Sequence, residues 1–415
     1  MCLWGVQMHF IGISVSVVLS MVGAAHAVVT INVPPGTPGA INAAIADALP
    51  GSTIQLEAGV YHEGQVIDTL GKFITLKGVW SDEGHPLSIL DGGGTHTVLQ
   101  CKNGETTQTV LTNLLVQNGL ASDGAGGGLS IVDASPQVMF IEFKNNKASI
   151  NGGAIACVRS SSLIGGCTFE GNSAGPDAHI MAQPGYGGAI SIWGYDGGQH
   201  DPPGVFVDDS TFNNNSVSQG LYPPGPPPDS GPGYASGGAI FVVEATVQIS
   251  GCTITGGTAL RGAGLAVYYS TSVVGLTDCK ITHNDGDGIW VQSGAQIGIE
   301  SGVIQNNAPA GISLEEGAQV TGSTSSGSSA NPSICGNVPD QTTGCLVCFT
   351  GEFDVQDICP SSVLGDMNGD GVLDASDLEL HHAAVGICKS DVDHDGDTDV
   401  MDLLWVIDGW GGICP

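Results

Sequence analysis

Residues Gly237 to Gly257 read GGAIFVVEATVQISGCTITGG. Apolar and polar residues alternate over Ala245-Thr246-Val247-Gln248-Ile249-Ser250, and again over Cys252-Thr253-Ile254-Thr255. Period two, with Val, Ile and Thr abundant, is the pattern of short strands buried on one face. Glycines at 251 and 256–257 punctuate the strands as turns. A unit of this size cannot bury its own apolar face, so the fold depends on whether it repeats.

It does repeat. Gly-Gly followed by an aliphatic ends at Leu129, Ile155, Ile190 and Ile240, and weaker copies end at Leu265, Ile289 and Ile312. The intervals are 26, 35, 50, 25, 24 and 23 residues. A second phrase, an apolar residue, two spacers and Asn, ends at Asn118, Asn146, Asn172, Asn215, Asn284 and Asn307. A further copy, ITGG, carries Gly257 in the Asn position. A period in the low twenties predicts a solenoid of stacked coils with equivalent residues about 4.8 Å apart. The repeated Asn is then expected to form a hydrogen-bonded ladder, and the glycines to permit tight or left-handed turns. The two long intervals are read as surface loops, among them the proline-rich LYPPGPPPDSGPGY from Leu221 to Tyr234.

Cys167, Cys252 and Cys279 occupy one place in their phrases, with the parity of Phe169, Ile254 and Ile281. They are expected inside as free thiols, with a Cys252–Cys279 bond as the alternative. At the N-terminal end Ala40, Ile41, Ala44, Ile45, Ala48 and Leu49 have helical spacing and precede Pro50-Gly51. A short amphipathic helix capping the first coil is expected there.

The residues Val28 to Gly322, through the capping stretch, FITLKG, SILDGGG and the repeats, resemble right-handed parallel β-helices of the pectin-lyase-like superfamily. The Gly-Gly-Ala-Ile and FxxN phrases also resemble the repeats of chlamydial polymorphic outer-membrane proteins. The fold class expected is all-β, a right-handed parallel β-helix with a small α-helical C-terminal domain.

That domain, 361–415, carries two acidic loops. Asp366, Asn368, Asp370, Val372 (through its carbonyl), Asp374 and Asp377 stand at positions 1, 3, 5, 7, 9 and 12, with Gly371 at 6. Asp391, Asp393, Asp395, Asp397, Asp399 and Asp402 repeat the spacing around Gly396. A hard cation takes six to eight oxygens, and the glycine turns the chain so that alternate residues converge on it. Two calcium ions are expected. Each loop feeds an apolar helix, and the pair resembles dockerin type I, which implies a cohesin-like or cell-envelope partner. Loop positions 10 and 11 hold Ala375-Ser376 and Val400-Met401 rather than the Ser/Thr pair of dockerins, so cohesin recognition itself does not carry over.

Nine Lys and Arg against 41 Asp and Glu give a net charge of −32, which excludes nucleic acid and anionic membrane as partners. Residues 1–27, an apolar run ending Ala25-His26-Ala27, read as a signal peptide, and no later segment is apolar for long enough to span a membrane. A secreted or cell-surface protein is expected. Cys335, Cys345, Cys348, Cys359, Cys388 and Cys414 read as local disulfides, the first four within a linker and connector over 323–360.

Polysaccharide on the solenoid is the partner expected for the body, with a lyase or glycoside hydrolase as the rival to simple binding. The catalytic candidates are Asp208, Asp209, Asp285 and Asp287, with His283 near the last two in sequence. Arg159, Arg261 and Lys280 are the scattered candidates for a base. Trp193, Tyr195 and Trp290 are a candidate sugar-stacking strip, or else packing residues. His62, His85, His96, His179 and His200 lack metal-ligand spacing.

Overall fold

The computed structural model describes residues 7–10, 13–16 and 29–356, apart from 123, 177–183, 195–203, 220–233, 293, 316, 323–331, 336, 338–339, 345–348 and 352. Both calcium loops, Tyr195, His179, His200 and all late cysteines but Cys335 lie outside the described residues.

Strands of successive coils pair in parallel. Thr246–Ser250 lies between Gly204–Asp208 and Val273–Thr277, and Thr253–Thr255 between Thr211–Asn213 and Cys279–Thr282. Among the described residues the strands form sheets of 23, ten and four members. The pairing is antiparallel where Gln7–Phe10 and Ile13–Ser16 add to Thr30–Val33 at the N-terminal edge.

Each coil bends at fixed places, and the bends explain the repeated phrases. The long sheet turns at Phe140, Gly166, Asp209, Gly251 and Asp278, with φ between 44° and 62°. It ends at Asn145, Gly171, Asn214, Gly256 and His283, again at positive φ. Only Gly, and to a lesser degree Asn and Asp, enter this left-handed region cheaply. The first glycine of each Gly-Gly phrase, at 152, 187, 237 and 262, makes the turn into the ten-stranded sheet at positive φ. The second glycine answers a different need, close approach of coils. A Cβ on Gly188 would stand 2.1 Å from the Gly238 carbonyl oxygen and 2.5 Å from that of Ser216.

The Asn ladder is present. Asn172 Oδ1 accepts from Asn146 N and Nδ2, both at 3.0 Å, and Asn172 Nδ2 donates to Phe143 O at 2.9 Å and to Asn215 Oδ1 at 3.0 Å. Asn284, Asn307 and Asn337 repeat the arrangement. Asn118 does not belong to this column. It sits at φ 52° as the counterpart of Asn145, and the neighbouring Gly119 N donates to Asn146 Oδ1 at 2.9 Å. The phrase LVQN carries one Asn where FKNN carries two, and strand register assigns that one to the bend. Gly257 does take the Asn place: its N donates to Asn284 Oδ1 at 2.8 Å. A Cβ there would meet the Ala263 carbonyl oxygen at 2.2 Å, so backbone crowding forbids a side chain.

Cys167, Cys252 and Cys279 are buried and free. Their thiols donate to carbonyls of the preceding coil, Val138, Val207 and Ile249, at 3.5, 3.7 and 3.4 Å. Register inserts Ser210 between Cys167 and Cys252, so the column is mixed. Behind it Phe143, Phe169 and Phe212 stack with centroids 5.2 and 4.6 Å apart. The next coil continues this column with Ile254.

The cap is a helix over Ala40–Asp47 that buries Ala40, Ile41, Ala44 and Ile45. Lys72 Nζ closes its C-terminal end on the carbonyls of Ile45, Ala46 and Ala48. Leu49, expected on the apolar stripe, lies past the helix end and is exposed. At the other end the sheets run beyond 322. Ser333–Cys335, Asp340–Gly344, Phe349–Gly351 and Asp354–Gln356 pair onto the preceding coils, so part of the stretch read as linker continues the solenoid.

Candidate functional site

The ten-stranded sheet sends Leu129, Ile155, Ile190, Ile240, Leu265, Ile289 and Ile312 inward in one column. Residues between these point outward and are nevertheless withdrawn from water. Phe241, Val243, Ala266, Tyr268 and Trp290, with Tyr186, form an apolar cluster separate from the main core. Its rings follow one another across four successive coils. Tyr186 lies 6.3 Å from Trp193 and 5.0 Å from Phe241, Phe241 lies 5.1 Å from Tyr268, and Tyr268 lies 4.6 Å from Trp290.

A cation closes this run. The Arg261 guanidinium stands over Tyr234 at 4.1 Å and over Trp290 at 4.5 Å, a sandwich that pairs its charge with two ring faces. Its Nη1 is 3.5 Å from Glu315 Oε1. Asp287, 7% exposed, is held above the usual carboxylate range by burial, opposed by a hydrogen bond with Ser313 and by Arg261. Tyr268 hydroxyl and Ser236 Oγ are 2.7 Å apart, and burial pushes the tyrosine up to about 12.

Tyr186 and Ser236 pair with each other in successive coils, just before the strands that carry Trp193 and Phe241.

The other candidates are dispersed. Asp208 and Asp209 are exposed at the bend of the long sheet, where Asp208 accepts a hydrogen bond from Ser250 and Asp209 serves as the left-handed turn residue. Asp285 is exposed past the Asn ladder, while Asp287 is buried against Ser313 and near Arg261. His283 is a bend residue whose Nε2 is 3.2 Å from Asn306, and burial lowers its pKa. Arg159 makes a bidentate pair with Asp133 at 2.5 and 2.6 Å, and that contact holds Asp133 below its ordinary range. Lys280 is exposed on the long sheet. The four aspartates thus form no acid–base pair; of them Asp287 alone lies near Arg261. Sequence reasoning missed Tyr186, Tyr234, Ser236, Phe241, Tyr268, Ser313 and Glu315. Among the described residues no three His, Cys, Asp or Glu side chains group as metal ligands.

Residues 203–337 match the family described as right handed beta helix region. The body has the β-helix fold. Residues 140–158 and 166–192 match the Chlamydia polymorphic membrane protein repeat. No curated protein matches the chain. Among solved structures, the alginate lyase of Paenibacillus sp. str. FPU-7 is similar at 14% identity and a TM-score of 0.44, over 78% of this chain and 99% of that one. The A-module of the Azotobacter vinelandii mannuronan C-5 epimerase AlgE6 is 13% identical, with a TM-score of 0.33 over 77% and 94%. A mannuronic acid specific polysaccharide family 6 lyase from human gut microbiota is 10% identical, with a TM-score of 0.34 over 91% and 98%.

Proposed function

We propose that this is an exported, surface-attached protein whose β-helix binds polysaccharide on the outer face of the ten-stranded sheet. The observation that carries the reading is the aromatic run on one outward face, where the partly exposed rings of Trp193, Tyr234 and Tyr269 border the buried Tyr186, Phe241, Tyr268 and Trp290. Partly exposed aromatic rings on a rigid scaffold offer sugar rings flat apolar area. Affinity electrophoresis of the full chain in gels containing soluble polysaccharides tests it. Retardation by at least one polymer is expected, weakened by Tyr234→Ala and Trp193→Phe, which change partly exposed rings at nearly unchanged melting temperature. Equal retardation of both variants would move the binding site elsewhere.

Attachment falls to the tail. Its two loops offer carboxylate, amide and carbonyl oxygens at alternating positions, the donor set that calcium takes, so Asp366 through Asp377 and Asp391 through Asp402 would hold two ions. Bound calcium would fix the loops and their helices for docking on a cohesin-like or cell-envelope protein. Terbium added to the full chain should give luminescence sensitised by Trp405 or Trp410 and displaced by calcium, and chelation should lower the melting temperature. Neither response would leave an acidic tail without a metal.

A second reading, cleavage of the bound polymer by a lyase or glycoside hydrolase, is favoured by Asp287. A buried carboxyl with a raised pKa beside a guanidinium suits a general acid. New reducing ends or unsaturated products that vanish in Asp287→Asn would establish it.

A further inference from the structure

Among the described residues, Cys101, Cys157, Cys167, Cys252 and Cys279 stand as buried thiols. Strand register decides which of them can meet. Ile131 pairs with both Cys101 and Cys157 and so separates them by a coil. Thr168 pairs with Thr211, which places Ser210 rather than a cysteine on the coil after Cys167. Thr253 pairs with Lys280, so Cys252 and Cys279 are direct neighbours on successive coils. Both point into the main core, 1% and 3% exposed. Equivalent residues of paired strands lie about 4.8 Å apart. A disulfide needs Cα atoms roughly 4.4–6.8 Å apart and side chains on the same face, and of these five cysteines only this pair meets both conditions.

The two side chains already interact. A hydrogen bond between the thiols pushes Cys252 above the ordinary thiol range and draws Cys279 below it, against the upward effect of burial. Their remaining contacts are to the carbonyls of Val207, Ser250, Ile249 and Thr277, at 3.7, 3.3, 3.4 and 3.4 Å. A thiol is a weak donor, so little is lost when these contacts give way to a covalent bond.

We infer that Cys252 and Cys279 form a disulfide that staples the coil of Ile254 to the coil of Ile281 when the chain folds in the presence of a disulfide oxidant. One thiolate attacks the disulfide of that oxidant, which is glutathione disulfide or the dithiol site of an oxidoreductase, and displaces one of its sulfurs as a thiolate. The second cysteine thiolate then attacks the mixed disulfide and displaces the other. The cysteines give up two protons and two electrons, and the oxidant leaves as two thiols. Both sulfurs are closed to water in the finished fold, so the exchange belongs to folding, and stacking then shields the bond from reductant. The bond closes residues 252–279 into a ring that contains Arg261 and the strand Leu265–Tyr268.

Peptide mapping without reduction tests it, on full chain purified without reductant from an oxidising expression compartment and alkylated in denaturant. A peptide linked through Cys252 and Cys279 is expected, with Cys101, Cys157 and Cys167 alkylated. Alkylation of both Cys252 and Cys279 would overturn the inference. Melting temperature gives a second readout, comparing chain refolded in glutathione buffer with chain refolded in dithiothreitol. The rise on oxidation should be about 5 °C larger in wild type than in Cys279→Ser. Both chains keep the late cysteines, which therefore cancel, and Ser210 shows that this column accepts a serine. An equal rise in the two chains would overturn the inference. Cys167→Ser should rise as much as wild type.

Discussion

Asn172→Ala should lower the folding stability of the β-helix by about 4 kcal/mol, taking four hydrogen bonds at roughly 1 kcal/mol each. The side chain is fully buried and accepts twice from Asn146, donates to Phe143 O and donates to Asn215 Oδ1. Alanine leaves the Asn146 N–H, one Asn146 amide proton, the Phe143 carbonyl and one Asn215 lone pair without their partner, in an interior closed to water. The loss comes from orphaned neighbours more than from the missing amide. Urea unfolding of the full chain measures it. A loss below about 1 kcal/mol would show that neighbouring strands, rather than the ladder, hold successive coils at this edge.

Phe169→Ala should cost a comparable amount, about 3–5 kcal/mol. Phe169 is the middle ring of the Phe143–Phe169–Phe212 stack and is inaccessible to water, so truncation removes two ring contacts and leaves a void that packed coils cannot close. Phe169→Leu should recover most of the loss, because Ile254 already fills this column one coil beyond Phe212. A leucine variant as damaged as the alanine one would mean that ring stacking, not filled volume, is what matters there. Unfolding midpoints of the two variants decide between these.

The solenoid was legible in the sequence because its devices are chemical and periodic. Left-handed bends favour Gly, Asn or Asp, although Phe140 and His283 also occupy them, and coil contacts at Gly153 and Gly188 exclude any Cβ, so Gly-Gly phrases recur at the coil length. The inward parity of Cys167, Cys252 and Cys279 was legible for the same reason, since their strands alternate. The ten-stranded sheet is different. Ile240–Val243 and Leu265–Tyr268 are buried at every position, and a continuous apolar run does not say which residues face out. Trp193 and Trp290 could be guessed as a strip, but Tyr234 and Arg261 occupy turns distant in sequence and converge only when coils stack. Asp285 and Asp287 look equivalent in HNDGDG, yet a two-residue step around a bend exposes one and buries the other. Asn118 was misplaced by a single residue because only register distinguishes the bend Asn from the ladder Asn.

One coil boundary carries two changes at once. Between the coil of Phe212 and Asn215 and the coil of Ile254 and Gly257, the ring stack ends and the amide ladder is interrupted. Over the coils of Phe143, Phe169 and Phe212 both columns run together like cords through beads. Under tension along the helix axis, those coils should yield after the junction beyond them, which keeps its strand pairing, the Cys252 thiol contact and the Phe241 ring contacts but neither cord. A β-helix stretched from its two ends would therefore part beyond the coil of Phe212 and Asn215 before it parts among the coils that precede it.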